Sequence, residues 1–229
     1  MAGTALFDLD RTITRAPTWT WFLIHVNGRR PRFVGQFALI ALRMIAYKLR
    51  LVPRTSIKAA GVRSLAGHSR AELQAKADIF VADILANGLR PGAEAAIKAH
   101  KARGDRLVLV SAAVDVVAEP LARALGFDDV ICTRLTWPAR AHGPVLDGEN
   151  CYGAEKLRRI ADLRAERPFS PPTYAYSDHV SDLELLREAD HGIAVNPSKR
   201  LRHAASEHGL EIVDFEASPS YSDRLEPPQ

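Results

Sequence analysis

Apolar positions along this chain follow two rhythms. The first is a single short run, Ala5-Leu6-Phe7, which leads into Asp8 and Asp10 spaced i, i+2. A short apolar run bounded by polar residues predicts a strand buried on both faces of a parallel sheet. The two aspartates then fall at its carboxyl end, where open α/β sheets bind ligands. From Arg15 to Arg90 the pattern turns helical. Trp19 to Val26 is apolar and aromatic. Pro31 opens a long helical run, Arg32 to Val52. On a 3.6-residue period Arg32, Gln36, Arg43, Tyr47 and Arg50 share one face of it, and the other faces are almost wholly apolar. Pro53 opens a further helix to about Ala66. Gly67-His68-Ser69 is a break, and Ser69 with Glu72 predicts a capping box for a helix ending before Asn87-Gly88. Four helices are thus expected between the first strand and the second.

From Pro91 strands and helices alternate. Pro91 to Arg103 reads as a helix with Pro near its start and Gly104 just past its end. Leu107 to Val110 is a buried strand leading into Ser111-Ala112-Ala113. Val114 to Leu125 is a helix closed by Gly126, and Val130 to Cys132 is a short strand. Thr133 to Gly148 has the Pro, Gly and charge texture of a hairpin or flap. A helix from Ala154 to about Arg164 follows, then a strand from Thr173 to Tyr176 and a helix from Asp182 to Ala189. Ile193 to Val195 and Ile212-Val213 are strands, with a helix from Ser198 to His208 between them. This alternation predicts a parallel sheet with helices on both faces. The expected organisation is an α/β, Rossmann-like core of residues 1–14 and 88–215, an inserted helical cap at 15–87, and a polar tail at 216–229. There is no internal repeat.

Composition supports a globular chain: 229 residues, 47% hydrophobic and 25% charged. Two isolated cysteines, Cys132 and Cys151, point to a reducing compartment and exclude a paired-cysteine zinc site. The longest early uncharged stretch, Ala16 to Gly28, falls short of the about 20 apolar residues that a bilayer span needs. With no room for a signal peptide before the first strand, the expectation is a cytoplasmic protein. The net charge of +4 hides an asymmetry. Twelve Lys and Arg lie between Arg11 and Arg70 with no Asp or Glu among them, which leaves the rest of the chain at −8. The basic segment and the acidic remainder are different physical objects.

The candidate chemistry lies where strands end. Asp8 is placed to attack phosphorus as a nucleophile, and Asp10 to give and take a proton. Negative charge gathered around a phosphate calls for a cation with oxygen ligands, Mg²⁺ above all. Ser111 follows a strand, where its hydroxyl and the adjacent main-chain N–H groups can hold phosphate oxygens. Read alone, Ser111 is better explained as a helix N-cap. Lys156 is the only lysine between Ala102 and Ser198. It stands near a helix start, where a cation gains nothing from the helix dipole, so an anion in front of it is a better explanation than the dipole, with a solvated surface lysine as the commoner alternative. Asp178 and Asp182 are spaced i, i+4: Asp178 can ligate Mg²⁺, and Asp182 either fixes the loop or a metal-bound water or is a first-turn helix acid.

Asp8-Leu9-Asp10-Arg11-Thr12, Ser111, Lys156 and Ser177-Asp178-His179-Val180-Ser181-Asp182 resemble, in order, the four motifs of the haloacid dehalogenase superfamily. The insert after the first motif resembles the helical cap of its phosphoserine-phosphatase-like subfamily IB. Asn150-Cys151-Tyr152-Gly153-Ala154-Glu155-Lys156 is similar to a bacterial branch of that group. The resemblance implies a Mg²⁺-dependent phosphatase. It implies that Asp8 is nucleophile and metal ligand, and that Asp10 is acid/base and ligates the metal through its main-chain carbonyl. Ser111, Ala112 and Lys156 would bind the transferring phosphoryl group, and Asp178 would complete the metal ligands. Thr12 and Asp182 would support them.

The sequence departs from that family at three points. Arg11 stands where many relatives have Gly; it is a candidate substrate contact or a side chain packed on the cap. Ser111-Ala112-Ala113 replaces Ser-Gly-Gly, which narrows the approach of backbone to substrate. The first acid after Asp10 is Glu72, so the amino group of phosphoserine has no early cap carboxylate to meet. The basic insert instead points to an anionic phosphomonoester, either a small molecule or a phospholipid headgroup, with peripheral contact to an anionic membrane as a further expectation. No recognition motif for nucleic acid is present. Phosphotransfer by the same chemistry and a basic surface-binding module with an idle pocket are the alternatives.

Overall fold

The computed structural model describes residues 2–28, positions 35, 38, 39, 42–44 and 51, and residues 54–216. Its strands are β1 (Thr4–Phe7), β2 (Arg106–Val114), β3 (Asp129–Thr136), β4 (Val145–Asp147), β5 (Thr173–Ser177), β6 (His191–Val195) and β7 (Glu211–Val213). They form one sheet in the order β4-β3-β2-β1-β5-β6-β7. All neighbours are parallel except β3 and β4. The chain builds outward from β1 on one side and then crosses to β5 on the other. The order therefore reverses at β1, and a crevice opens at the carboxyl ends of β1 and β5. Phe7 lies opposite Tyr176 in that pairing, which brings Asp8 and Asp178 to the same edge.

Period-2 alternation explains why β1 tolerates burial on both faces. Ala5 and Phe7 join one apolar cluster with Leu107, Leu109 and Tyr176. Leu6 joins the other with Val108, Val110 and Ala175. The helices that cover these faces are α4 (Pro91–Ala102), α5 (Asp115–Leu125), α6 (Ala154–Glu166), α7 (Leu183–Glu188) and α8 (Lys199–Glu207). Pro91 starts α4 as the pattern predicts, and Gly104 takes φ 76, the left-handed turn that glycine adopts without steric cost.

Between β1 and β2 lie α1 (Thr18–Asn27), α2 (Arg54–Arg63) and α3 (Arg70–Asp83). The capping box on α3 forms as expected, with Ser69 accepting from the Glu72 N–H and the Glu72 carboxylate accepting from the Ser69 N–H. The chain leaves and re-enters the sheet side by side: Arg15 N–H donates to the Gly88 carbonyl at 2.8 Å and Arg90 N–H to Ile13 at 2.9 Å. In the predicted helix Arg32 to Val52, positions 35, 38, 39 and 42–44 are helical, and the rest lies outside the described residues. Most of the face carrying Arg32, Gln36, Tyr47 and Arg50 is therefore not described.

Two boundaries differ from the sequence expectation. β2 does not end at Val110; it runs to Val114, with an irregular register against β3 between Val110 and Val114. β3 runs past Cys132 to Thr136 and pairs antiparallel with β4, which forms the hairpin expected within Thr133 to Gly148. The predicted tail begins at Glu216, whose carboxylate pairs with Arg15 at 3.1 Å and Arg90 at 2.9 Å; residues 217–229 lie outside the described residues. Among the described residues no helix is long and apolar enough to cross a membrane.

A largely buried polar network gathers around Asp105. His100, fully buried, shares a hydrogen bond with Asp105 through Nδ1 at 2.7 Å and with the Tyr176 hydroxyl through Nε2 at 2.7 Å. Arg103 and the Gly3 N–H also bind Asp105, and Tyr174 packs edge-on against the imidazole. Burial holds His100 below its usual range, and the Asp105 hydrogen bond and charge oppose that shift. A histidine lowered in the folded state leaves the unfolded chain binding more protons. Its stabilisation is complete above the unfolded value of 6.5 and is lost as pH falls from there through the folded value. His100 should therefore pull the melting temperature down between about pH 7 and pH 5, against the opposite pull of the raised carboxylates Asp8 and Asp178, and His100→Gln should remove its share of the slope. An unchanged slope in the variant would assign the pH dependence elsewhere.

Candidate active site

β1 stops at Phe7, and the backbone turns at Asp8 into a wide turn, Leu9–Ile13. Asp8 N–H donates to the Tyr176 carbonyl at 2.9 Å, which ties the residue to β5. Its carboxylate is almost wholly buried and has two partners. Lys156 Nζ donates to Oδ1 at 2.9 Å, and Thr12 Oγ1 donates to Oδ2 at 3.2 Å. The same Lys156 ammonium donates to Asp182 Oδ2 at 2.8 Å. Ser177 Oγ donates to that oxygen of Asp182 at 2.7 Å. Lys156 reaches this point because Gly153, at φ 59, turns the chain into the first turn of α6.

Burial dominates the electrostatics. It pushes Asp8 up to about 7; Lys156 opposes the shift, while Asp182 and Asp178 add to it. It pushes Asp178 up to about 6, where the Arg11 charge opposes it and Asp182 and Asp10 add to it. Burial alone would lower Lys156, but the Asp182 and Asp8 carboxylates outweigh it and hold the lysine above its usual range. The ammonium is therefore a fixed charge.

Asp10 faces the insert. Its Oδ1 accepts from both the N–H and the hydroxyl of Thr18 at 2.7 Å, so the carboxylate sits on the N-terminus of α1. Arg11 takes φ 64, a left-handed conformation that costs a non-glycine residue roughly 1 kcal/mol. That geometry accounts for a glycine preference at this position. The Arg11 carbonyl accepts from Arg90 Nε at 3.0 Å, and its side chain is exposed.

Asp8, Asp10, Arg11, Lys156, Asp178 and Asp182 line one cavity of about 420 Å³. Ser111 and Ala112 are not among its lining residues. Ser111 is fully buried, and its hydroxyl accepts from the Ala113 N–H at 3.0 Å. It is not a helix cap, since α5 begins after Val114. The Ala112 carbonyl accepts from Lys58 Nζ at 2.8 Å and from Thr133 Oγ1 at 2.9 Å. The sequence reading missed Thr18, Trp19, Lys58, Tyr152 and His179 as site residues. Thr18 carried a usable signal, a threonine at the start of a helical run beside Asp10. Lys58 carried none, being one basic residue among many. A second cavity, lined by Trp21, Phe80 and Asp83, brings together no such set of carboxylates.

The donors suit a hard divalent cation. Asp8 and Asp178 offer buried carboxylates whose negative charge is strained by desolvation, and the Asp178 carboxylate accepts no hydrogen bond among the described residues. Among the described residues no three His, Cys, Asp or Glu side chains are arranged to hold a metal. A cation here would also draw on main-chain or water oxygens.

The chain matches the model of the haloacid dehalogenase-like hydrolases over residues 5–187. It is 29% identical over 237 residues to a probable phosphatase of Mycobacterium tuberculosis, covering 98% of this chain and 79% of that protein. It is 35% identical over 190 residues to the protein CicA of Caulobacter vibrioides, covering 80% and 82%. A solved protein of unknown function from Bordetella pertussis Tohama I aligns with a TM-score of 0.83 at 27% identity, covering 94% of this chain and 99% of that one. The match extends from β1 into α7 and includes every carboxylate of the cavity. The chain belongs to the haloacid dehalogenase-like hydrolases and is a phosphatase of that family.

Proposed function

We propose that this phosphatase is a Mg²⁺-dependent phosphomonoester hydrolase that works through an aspartyl phosphate on Asp8. The observation that carries the reading is the buried ammonium of Lys156 shared between Asp8 and Asp182. A fixed positive charge beside a carboxylate nucleophile is what an incoming phosphoryl group needs. Residues 15–87 are read as the cap, and residues 1–14 with 88–215 as the core. The substrate is read as an anionic phosphomonoester, small or lipid-linked, from the basic insert.

In the first step an Asp8 carboxylate oxygen forms a bond to phosphorus, and the phosphorus–oxygen bond to the leaving group breaks. The electron pair stays on the leaving oxygen, which takes a proton from Asp10. In the second step water attacks phosphorus, Asp10 takes the water proton, and Asp8 leaves as a carboxylate. Thr12 steadies the Asp8 carboxylate. Thr18 holds Asp10 at the start of α1 until it is needed. Lys156 and the main-chain N–H groups of Ser111 and Ala112 are the proposed phosphate contacts. Asp8, Asp178 and the Asp10 carbonyl would hold Mg²⁺, which supplies charge neutralisation for the phosphate oxygens. Two buried cysteines, neither in a disulfide, support a reducing, cytoplasmic setting.

Release of inorganic phosphate from p-nitrophenyl phosphate tests the chemistry directly. Turnover should stop with EDTA and return with Mg²⁺. Asp8→Asn should lower kcat by about 10³-fold or more while keeping a cooperative melt. Undiminished turnover in that variant would remove Asp8 from the mechanism. Lys156→Met should lose turnover and also destabilise the fold by about 3 kcal/mol, because two buried carboxylates lose their countercharge. Denaturant unfolding reads that change, and an unaltered midpoint would mean that the ion pairs do not support the fold.

A further inference from the structure

We propose that the site takes a phosphomonoester whose leaving group carries a second oxyanion, a carboxylate or another phosphate, and that Lys58 is the residue that reads it. The inference rests on the phosphatase reading above.

It begins with where acids are absent. From Arg11 to Arg70 the chain has no Asp or Glu. The next acids of the insert are engaged elsewhere. Glu72 closes the capping box with Ser69 at 2.8 Å, Asp78 accepts from Gln74 at 2.9 Å, and Asp83 accepts from Asn87 at 2.9 Å. None of the three lines the cavity. Among the described residues, the four carboxylates that line it already have work. Asp8 and Asp182 share Lys156, Thr18 holds Asp10, and the charge of Arg11 acts on Asp178. A leaving group bearing an ammonium would meet no carboxylate from the insert.

The cations are placed the other way. Besides Lys156, the cavity is lined by Arg11 and Lys58. Lys58 is carried on α2, yet it is buried, with its ammonium 2.8 Å from the Ala112 carbonyl and 4.1 Å from the centroid of the Trp19 ring. That places an insert cation directly against the Ser111-Ala112 segment of the core. A charged acceptor binds an ammonium more strongly than a carbonyl does, so an oxyanion on the leaving group outcompetes Ala112 for it. Arg11 holds its own place in the cavity in a left-handed conformation, and such strain persists where the surroundings require it.

The test is a matched two-carbon series assayed with the full-length protein and Mg²⁺. It comprises 2-phosphoglycolate, ethylene glycol bisphosphate, ethylene glycol monophosphate and O-phosphoethanolamine, with p-nitrophenyl phosphate alongside. Wild-type kcat/KM should be at least about tenfold higher for the two esters bearing a second oxyanion than for the neutral one, the worth of one charge-assisted hydrogen bond, and lowest for the ammonium ester. The better of the two names the oxyanion. Lys58→Met should collapse that ratio, mainly through KM for the oxyanion esters, and Lys58→Arg, which keeps the charge, should retain most of it. Equal kcat/KM across the series, or preference for O-phosphoethanolamine, with p-nitrophenyl phosphate still hydrolysed, would overturn this inference and leave the phosphatase reading standing. A ratio retained in Lys58→Met would do the same. No hydrolysis of any ester would overturn the phosphatase reading and this inference with it.

Discussion

One ammonium organises the catalytic edge of this molecule. Lys156 lies between Asp8 and Asp182 and joins the ends of three elements, β1, α6 and the turn after β5. Each of these charges is costly to bury alone, and burial is the leading influence on both Asp8 and Lys156. The arrangement persists because each group supplies what the others lack. Ser177 and Thr12 complete the set with short polar contacts that keep the carboxylates oriented. Asp178 is buried beside them and accepts no hydrogen bond among the described residues, and the Arg11 charge acts on it.

Charge is divided between the two parts of the fold in the opposite sense. The core contributes the carboxylates, and the segment from Arg11 to Arg70 contributes cations and no acid. The cavity lies where they meet, and two contacts cross that boundary at the chemistry itself. Thr18 on α1 holds the Asp10 carboxylate, and Lys58 on α2 holds the Ala112 carbonyl. Further out, Glu216 clamps Arg15 and Arg90, which flank the two connections between insert and sheet. Movement of the insert would therefore change the partners of Asp10 and Ala112 together.

Much of this was legible beforehand, for reasons that are local. A strand buried on both faces needs a continuous apolar run, so Ala5 to Phe7 and Leu107 to Val110 announced themselves. The α3 capping box and the Pro91 start of α4 depend on residues three or four apart and formed as read. Asp8, Asp10, Lys156, Asp178 and Asp182 were identified by their placement at strand ends and helix starts, and the fold brings all five to one cavity. The end of β2 was misplaced because a register irregularity against β3 is a property of pairing, and pairing partners do not show in one strand's own sequence.

What the sequence determined by itself was the order of elements, the acidic core with its basic insert, and the residue types that phosphoryl chemistry requires. Those follow from short-range periodicity and composition. Only the tertiary structure decided which atoms meet. It gave Lys156 two carboxylates at once, put Asp10 on the start of α1, buried Ser111 completely, and brought Lys58 from the basic insert against Ala112. Such choices rest on contacts between residues that are 54 and 148 apart along the chain, and distances of that kind exist only once the sheet has closed.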